Sequence, residues 1–416
     1  MCPLWFVIPI HVIIQAMILT AKTLINGDGK TVLKDGALCF EGGRIVEAGP
    51  MEHIREKYPN HEVTKYGEAT ILPGLIDMHV HLAYWLLRSD RDMYDDYLVA
   101  YQALNNAQRA LFAGVTTVRD VFGPVGACRQ LNLAAKKGFV RAPRVIFCNR
   151  ALCITGGIDW KSGGGTVQVD GEAEIVKAIR TEIREGAEWI KMMTSWRTPG
   201  VAEFSQAEMN AAVGECHRLG KKIAAHSTIP PSLEMCIEAG FDTIEHGTDL
   251  TLEQAKRMRD KGIAWVPTIF VHKITYENLV KRIEAEGYDS LSDRDKQTHE
   301  LYGRCVKTYT DNFLRLADTG VTVLAGTDIV FEGGDAAPVA DELACMTALG
   351  FDTLRAVAAA TSSPAKVLGM EGEIGSLVPG AKADVLVVRG DVSKDIRALK
   401  DVEAVYLDGE CVRREI

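Results

Sequence analysis

The chain has 416 residues, a formal net charge of −9, 47% hydrophobic residues and 25% charged ones. That length buries a large core and leaves room for one barrel plus a smaller domain. The acidic balance argues against nucleic acid or an anionic membrane as partner, since either calls for a basic face, and says nothing positive about a small-molecule substrate.

The first sixteen residues are apolar and Pro-interrupted, with no Lys or Arg before Lys22. They lack the basic leader of a signal peptide and run into the strand-like Met17–Ile25, so 1–16 reads as an extension ahead of an expected natural start at Met17, with a membrane or export role as the alternative. Residues 17–73 show short alternating runs broken by Asn26-Gly27, Gly36 and Gly42-Gly43, the pattern of β-structure with tight turns. The C-terminal stretches Gly380–Val388 and Val402–Gly409 repeat it. The two ends, 17–73 and 374–416, are expected to form one small β-sandwich domain around an inserted domain, 74–373.

That inserted region alternates apolar strands with helices, which predicts a parallel sheet. The candidate strands are Leu75–His81, Thr116–Arg119, Arg144–Cys148, Trp189–Met193, Lys222–His226, Thr243–His246, Ala264–Phe270 and Val321–Ala325. Helices are expected over Glu172–Glu185 and Gln206–Leu219, with one or two long exposed ones between Val271 and Gly320. The fold class is α/β, a (β/α)8 TIM barrel, whose strand C-termini converge on one mouth. Ten cysteines occur without a CxxC pair, most in apolar runs, and are expected as reduced, buried thiols of a cytoplasmic protein.

Several strands end on residues that bind metals. His79-Val80-His81 places two imidazoles on one side of a strand, because side chains alternate with period two, and suits two ligands for one metal. Lys191 lies in a buried-looking strand, where an ammonium is costly. It either pairs with a nearby carboxylate or, once neutral, reacts with CO₂ to give a carbamate able to bridge two metals. His226 and His246 end successive strands and look like a pair for a second metal, although each alone also suits a core position. Asp328 follows Gly326-Thr327 and reads either as a helix N-cap or as a metal ligand that takes a proton. Around the mouth, Tyr84, Trp85, Trp160 and Trp196 are candidates for an apolar pocket or for packing. Arg197 suits a substrate carboxylate or a solvated loop, and His272 is a candidate donor to a tetrahedral oxyanion.

The run Leu72-Pro-Gly-Leu-Ile-Asp-Met-His-Val-His81, Ala113–Asp120, Ile190-Lys191, Ala225-His226, Ile244-Glu-His-Gly247, Ala325-Gly-Thr-Asp328 and the tail Gly375–Asp384 resemble the amidohydrolase superfamily, in its imidazolonepropionase-related and Xaa-Pro dipeptidase-like branch. The resemblance implies that His79 and His81 bind the more buried of two divalent metals and His226 and His246 the more exposed. It implies that carboxylated Lys191 bridges them, that Asp328 is ligand and general base, and that a shared hydroxide attacks an amide-type carbonyl. The expected cofactors are two zinc ions and CO₂ as N6-carboxylysine at Lys191; a homo-oligomer is compatible with the sequence. Two stretches depart from relatives where substrate should be read, Ile154–Trp160 and Ser227–Pro231. The expected substrates are a dipeptide, an N-acyl amino acid or a related carboxamide. The alternative is a mononuclear deaminase or cyclic amide or amidine hydrolase on the same fold.

Overall fold

The computed structural model describes residues 16–83, 96–158, 164–195, 200–328 and 338–414. Five strands come first: β1 (Met17–Ile25), β2 (Val32–Glu41), β3 (Arg44–Pro50), β4 (Glu62–Lys65) and β5 (Ala69–Pro73). β1 and β2 pair antiparallel from Met17↔Phe40 to Ile25↔Val32, across the Asn26–Thr31 turn anticipated from its glycines. Asp28 holds that turn by accepting the Thr31 N–H at 2.7 Å.

The parallel strands follow: β6 (Leu75–Val80), β7 (Val115–Asp120), β8 (Arg144–Phe147), β9 (Ala151–Cys153), β10 (Thr166–Gln168), β11 (Trp189–Met193), β12 (Lys222–Ser227), β13 (Thr243–His246) and β14 (Ala264–Val266). They form two parallel sheets, β6-β7-β8 and β10-β9-β11-β12-β13-β14. Every residue of β6, β7, β11 and β13 is buried, as strands covered on both faces must be. Backbone hydrogen bonds also cross the seams between the sheets. The Glu188 N–H reaches the Phe147 carbonyl at 2.9 Å, and the Met78 N–H reaches Ala325 at 2.9 Å. These parallel sheets and their helices fit the TIM-barrel fold.

Two strand expectations need correction. The seventh strand stops at Val266 rather than Phe270, because Pro267 has no N–H for the ladder and Thr268 turns left-handed (φ +51°), starting a helix at Ile269. The eighth segment, Val321–Ala325, forms a single bridge, Val323 to Trp265, rather than a full strand. The helices Glu172–Arg184 and Gln206–Arg218 lie where periodicity placed them, and two long helices, Ile269–Glu286 and Asp293–Ala317, fill the charged stretch before Gly320.

The chain then returns to its beginning. β15 (Val385–Arg389), β16 (Val402–Leu407) and β17 (Glu410–Arg414) form an antiparallel run, and β15 pairs with β5 from Val385↔Pro73 to Arg389↔Ala69. Both chain ends thus share one eight-stranded sheet, with its own core around Leu19, Phe40, Ile71, Val387 and Tyr406. The nine described cysteines are free thiols, eight of them buried. Among the described residues no helix is long and apolar enough to cross a membrane.

Candidate metal centre

The end of β6 aims His79 and His81 at Asp328, which approaches from the opposite seam. His81 Nε2 lies 3.0 Å and His79 Nε2 3.4 Å from Asp328 Oδ1. The three side chains offer ligand atoms all within 4.8 Å of one another. Asp328 is held there by its N–H, which donates to the His79 carbonyl at 2.8 Å, and it adopts φ +50°. Gly326 permits this approach: a Cβ there would stand 2.4 Å from Val266 Cγ1 and 2.7 Å from His79 Cβ. Burial alone would raise the Asp328 carboxyl, but the facing imidazoles of His79, His81 and His246 hold it well below the usual range.

The other two histidines come from neighbouring strands, β12 and β13, and their rings meet edge-on with centroids 4.6 Å apart. His246 also lies 5.1 Å from the His79 ring and 3.9 Å from Asp328 Oδ2. Burial followed by the charge of Lys191 pulls His226 down to about 3, and burial pulls His246 well down too, so both offer neutral, ligating imidazoles.

Lys191 projects from the middle of β11 and is 1% exposed. Its Nζ has no hydrogen-bond partner among the described residues. Burial brings its ammonium down to about 8, despite the opposing pull of Glu245. Among the described residues no carboxylate pairs with Lys191, the simpler reading of this position. Among the described residues this amine is therefore buried and unpartnered, close enough to His226 and Asp328 for their charges to act on one another.

The structure brings His79, His81, Lys191, His226, His246 and Asp328 to one side of the parallel strands, with His272 beside them, its ring 5.9 Å from that of His246. Tyr84, Trp85, Trp160, Trp196 and Arg197 lie outside the described residues.

Sequence reading overlooked the groups that support these side chains. Glu245, fully buried, accepts from His79 Nδ1 at 2.7 Å and from Arg119 Nη2 at 2.8 Å. Arg119 is equally buried, donates to the Met78 carbonyl and Thr243 Oγ1, and lies over the Trp189 ring at 4.7 Å. Asp77 accepts the backbone N–H of His79 and both the N–H and hydroxyl of Thr327, tying the two ligand-bearing segments together. The available signal was a charged residue inside an otherwise apolar strand, which is costly unless paired.

Fold and site together define a metal-dependent hydrolase that acts on carbon–nitrogen bonds. The model of the amidohydrolase family matches residues 70–412, and the chain belongs to that family. It is similar to ochratoxinase of Aspergillus niger, at 28% identity over 94% of this chain and 85% of the relative. It is also similar to imidazolonepropionase of Symbiobacterium thermophilum, at 26% identity over 86% and 84%. A solved Xaa-Pro dipeptidase with methionine bound in its active site shares the fold, with a TM-score of 0.83, 24% identity and coverage of 95% and 99%.

Proposed function

We propose that the protein is a binuclear amidohydrolase cleaving the C–N bond of a dipeptide, an N-acyl amino acid or a related carboxamide. In this reading the parallel segments close into one eight-stranded ring over 74–373, the paired ends 17–73 and 374–416 make a β-sandwich, and the enzyme works in the cytoplasm, in keeping with its unpaired thiols. The observation that carries it is the buried Lys191 amine, which has no hydrogen-bond partner among the described residues.

His79 and His81 would hold one divalent ion and His226 and His246 a second, with Lys191, once a carbamate, and Asp328 as further ligands. Zinc fits imidazole and carboxylate donors. The neutral Lys191 amine forms its N–C bond to CO₂ and releases one proton, leaving an anion with two oxygens. Bound there, the ions supply Lewis acidity toward the carbonyl and lower the pKa of water. Asp328 takes a proton from the attacking water and delivers it to the leaving nitrogen. Its depressed pKa keeps it ionised and able to accept at neutral pH. Glu245 holds the His79 ring so that Nε2 faces Asp328.

A one-metal reading, as a deaminase or a cyclic amide or amidine hydrolase, is favoured by one observation: among the described residues, His79, His81 and Asp328 make the one compact trio of His, Cys or carboxylate ligand atoms. Elemental analysis of protein purified without chelators separates the two. About two metal equivalents per chain is the expected result. One equivalent, unchanged on adding zinc and bicarbonate, overturns the binuclear reading.

A further inference from the structure

His272 has a hydrogen bond whose direction is fixed. Its Nδ1 lies 2.8 Å from the carbonyl oxygen of Thr268. A carbonyl only accepts, so Nδ1 carries the hydrogen. A neutral imidazole has one ring hydrogen, which leaves Nε2 bare, an acceptor rather than a donor. Donation to an oxyanion, the role read from the sequence, would need the opposite tautomer.

The corner that fixes this tautomer is strained and clamped. Thr268 is β-branched yet sits at φ +51°, a conformation that persists only where its surroundings impose it. Glu342, fully buried, imposes it from the helix Val339–Ala348 by accepting the N–H of Ile269 at 2.9 Å and of Phe270 at 2.6 Å, one on each oxygen. Tyr309 holds the other side by donating to the Pro267 carbonyl at 2.7 Å. Among the described residues no cation pairs with Glu342, so its carboxyl serves these two N–H groups. The same threonine places its Oγ1 2.8 Å from His246 Nδ1. One corner therefore orients a candidate metal ligand and its neighbour together.

We propose that Glu342 is a positioning residue that, through the Thr268 carbonyl of the corner it clamps, holds His272 as its Nδ1–H tautomer, so that its Nε2 accepts a hydrogen bond from an N–H of the substrate amide. The substrate half rests on the amidohydrolase reading above. It narrows the substrate class to secondary amides. An amide to proline has no N–H and cannot make this bond, so Xaa-Pro peptides are expected to be poor substrates.

The first test needs no turnover. Long-range ¹H–¹⁵N correlation spectra of the metal-loaded, ¹⁵N-histidine-labelled protein report which ring nitrogen of His272 carries the hydrogen, with a His272→Phe sample assigning the signal. The expected spectrum near pH 7.5 shows protonated Nδ1 and bare Nε2. Nε2–H, or an imidazolium, overturns the proposal. Glu342→Gln places an NH₂ against one of the two N–H groups and is expected to mix the tautomers. Thr268→Gly, which accepts φ +51° without strain and keeps the carbonyl, is expected to retain the wild-type pattern if the first variant does not fold. The second test compares kcat/KM for a hydrolysed amide and its N-methyl analogue. A preference for the N–H compound of about tenfold or more is expected, since an unmet buried acceptor is costly, and His272→Phe is expected to abolish it. Equal rates in the wild type, or a preference that survives His272→Phe, refute the substrate half. Absence of turnover with every amide sinks the hydrolase reading and the substrate half together, while the tautomer result stands on its own.

Discussion

Replacing Glu245 by Gln isolates the support behind His79 while preserving side-chain shape. One Glu245 oxygen accepts from Arg119 and Thr243, the other from His79 Nδ1. A carboxamide accepts on one side only, so its NH₂ must face a donor, and the Arg119 guanidinium loses its counter-charge. Both residues are 0% exposed, so solvent screens neither. Removing one partner of a buried ion pair costs about 3–5 kcal/mol, and Gln, which keeps one acceptor, is expected at the lower end, about 3 kcal/mol. The ring of His79 also loses its orienting acceptor, which is expected to lower metal affinity about 10–100-fold. Denaturant midpoints of the metal-stripped proteins measure the first effect, and competition with a chromophoric chelator measures the second. Arg119→Met combined with Glu245→Gln removes both charges and is expected to destabilise by clearly less than the sum of the single changes, as partners in contact do not add. Additive costs, or a Glu245→Gln loss below about 1 kcal/mol, would refute the argument that this pair is a coupled, desolvated unit.

Two further outcomes follow from single buried groups. Lys191→Ala removes the carbamate and is expected to leave fewer than two metals bound and to lower kcat by about 10³-fold, the scale of several kcal/mol of lost Lewis-acid stabilisation; full metal content with full activity would exclude a carbamate. Burial raises the Glu342 carboxyl from an ordinary 4.5 to about 8. The folded chain therefore keeps a proton that the unfolded chain releases, and stability is expected to fall as pH rises from about 4.5 to 8, by up to about 1.4 kcal/mol per unit. Unfolding midpoints of wild type and Glu342→Gln across that range are expected to converge as pH rises, and parallel curves would remove Glu342 as the source.

The six candidate residues were legible because each lies in or just after an apolar run, and parallel strands bring such segments together whatever their separation in sequence. His79 and Asp328 are far apart in the chain, yet the Asp328 N–H bonds to the His79 carbonyl. The shortened seventh strand was harder to see. Ala264–Phe270 is apolar throughout, and only the missing N–H of Pro267 and the left-handed Thr268 show that the ladder ends at Val266. Glu342 gave no signal at all. It lies in an ordinary helical pattern, and its partners, Ile269 and Phe270, are more than seventy positions away.

The contrast between Asp328 and His272 shows what kind of information sequence withholds. An ionised carboxylate can only accept, and the facing imidazoles keep Asp328 ionised against the pull of burial, so its side chain accepts in every hydrogen bond it makes. A neutral imidazole can present either face, and its chemistry is decided by whatever holds the other nitrogen. For His79 that group is Glu245, which leaves Nε2 facing Asp328. For His272 it is a backbone carbonyl exposed by a turn that no residue pattern announces, and the turn in turn depends on a carboxyl from a distant helix. The residue was identifiable from its place after a strand, but the sign of its interaction with substrate was not. That sign separates a site built to stabilise negative charge on oxygen from one that also selects for hydrogen on nitrogen.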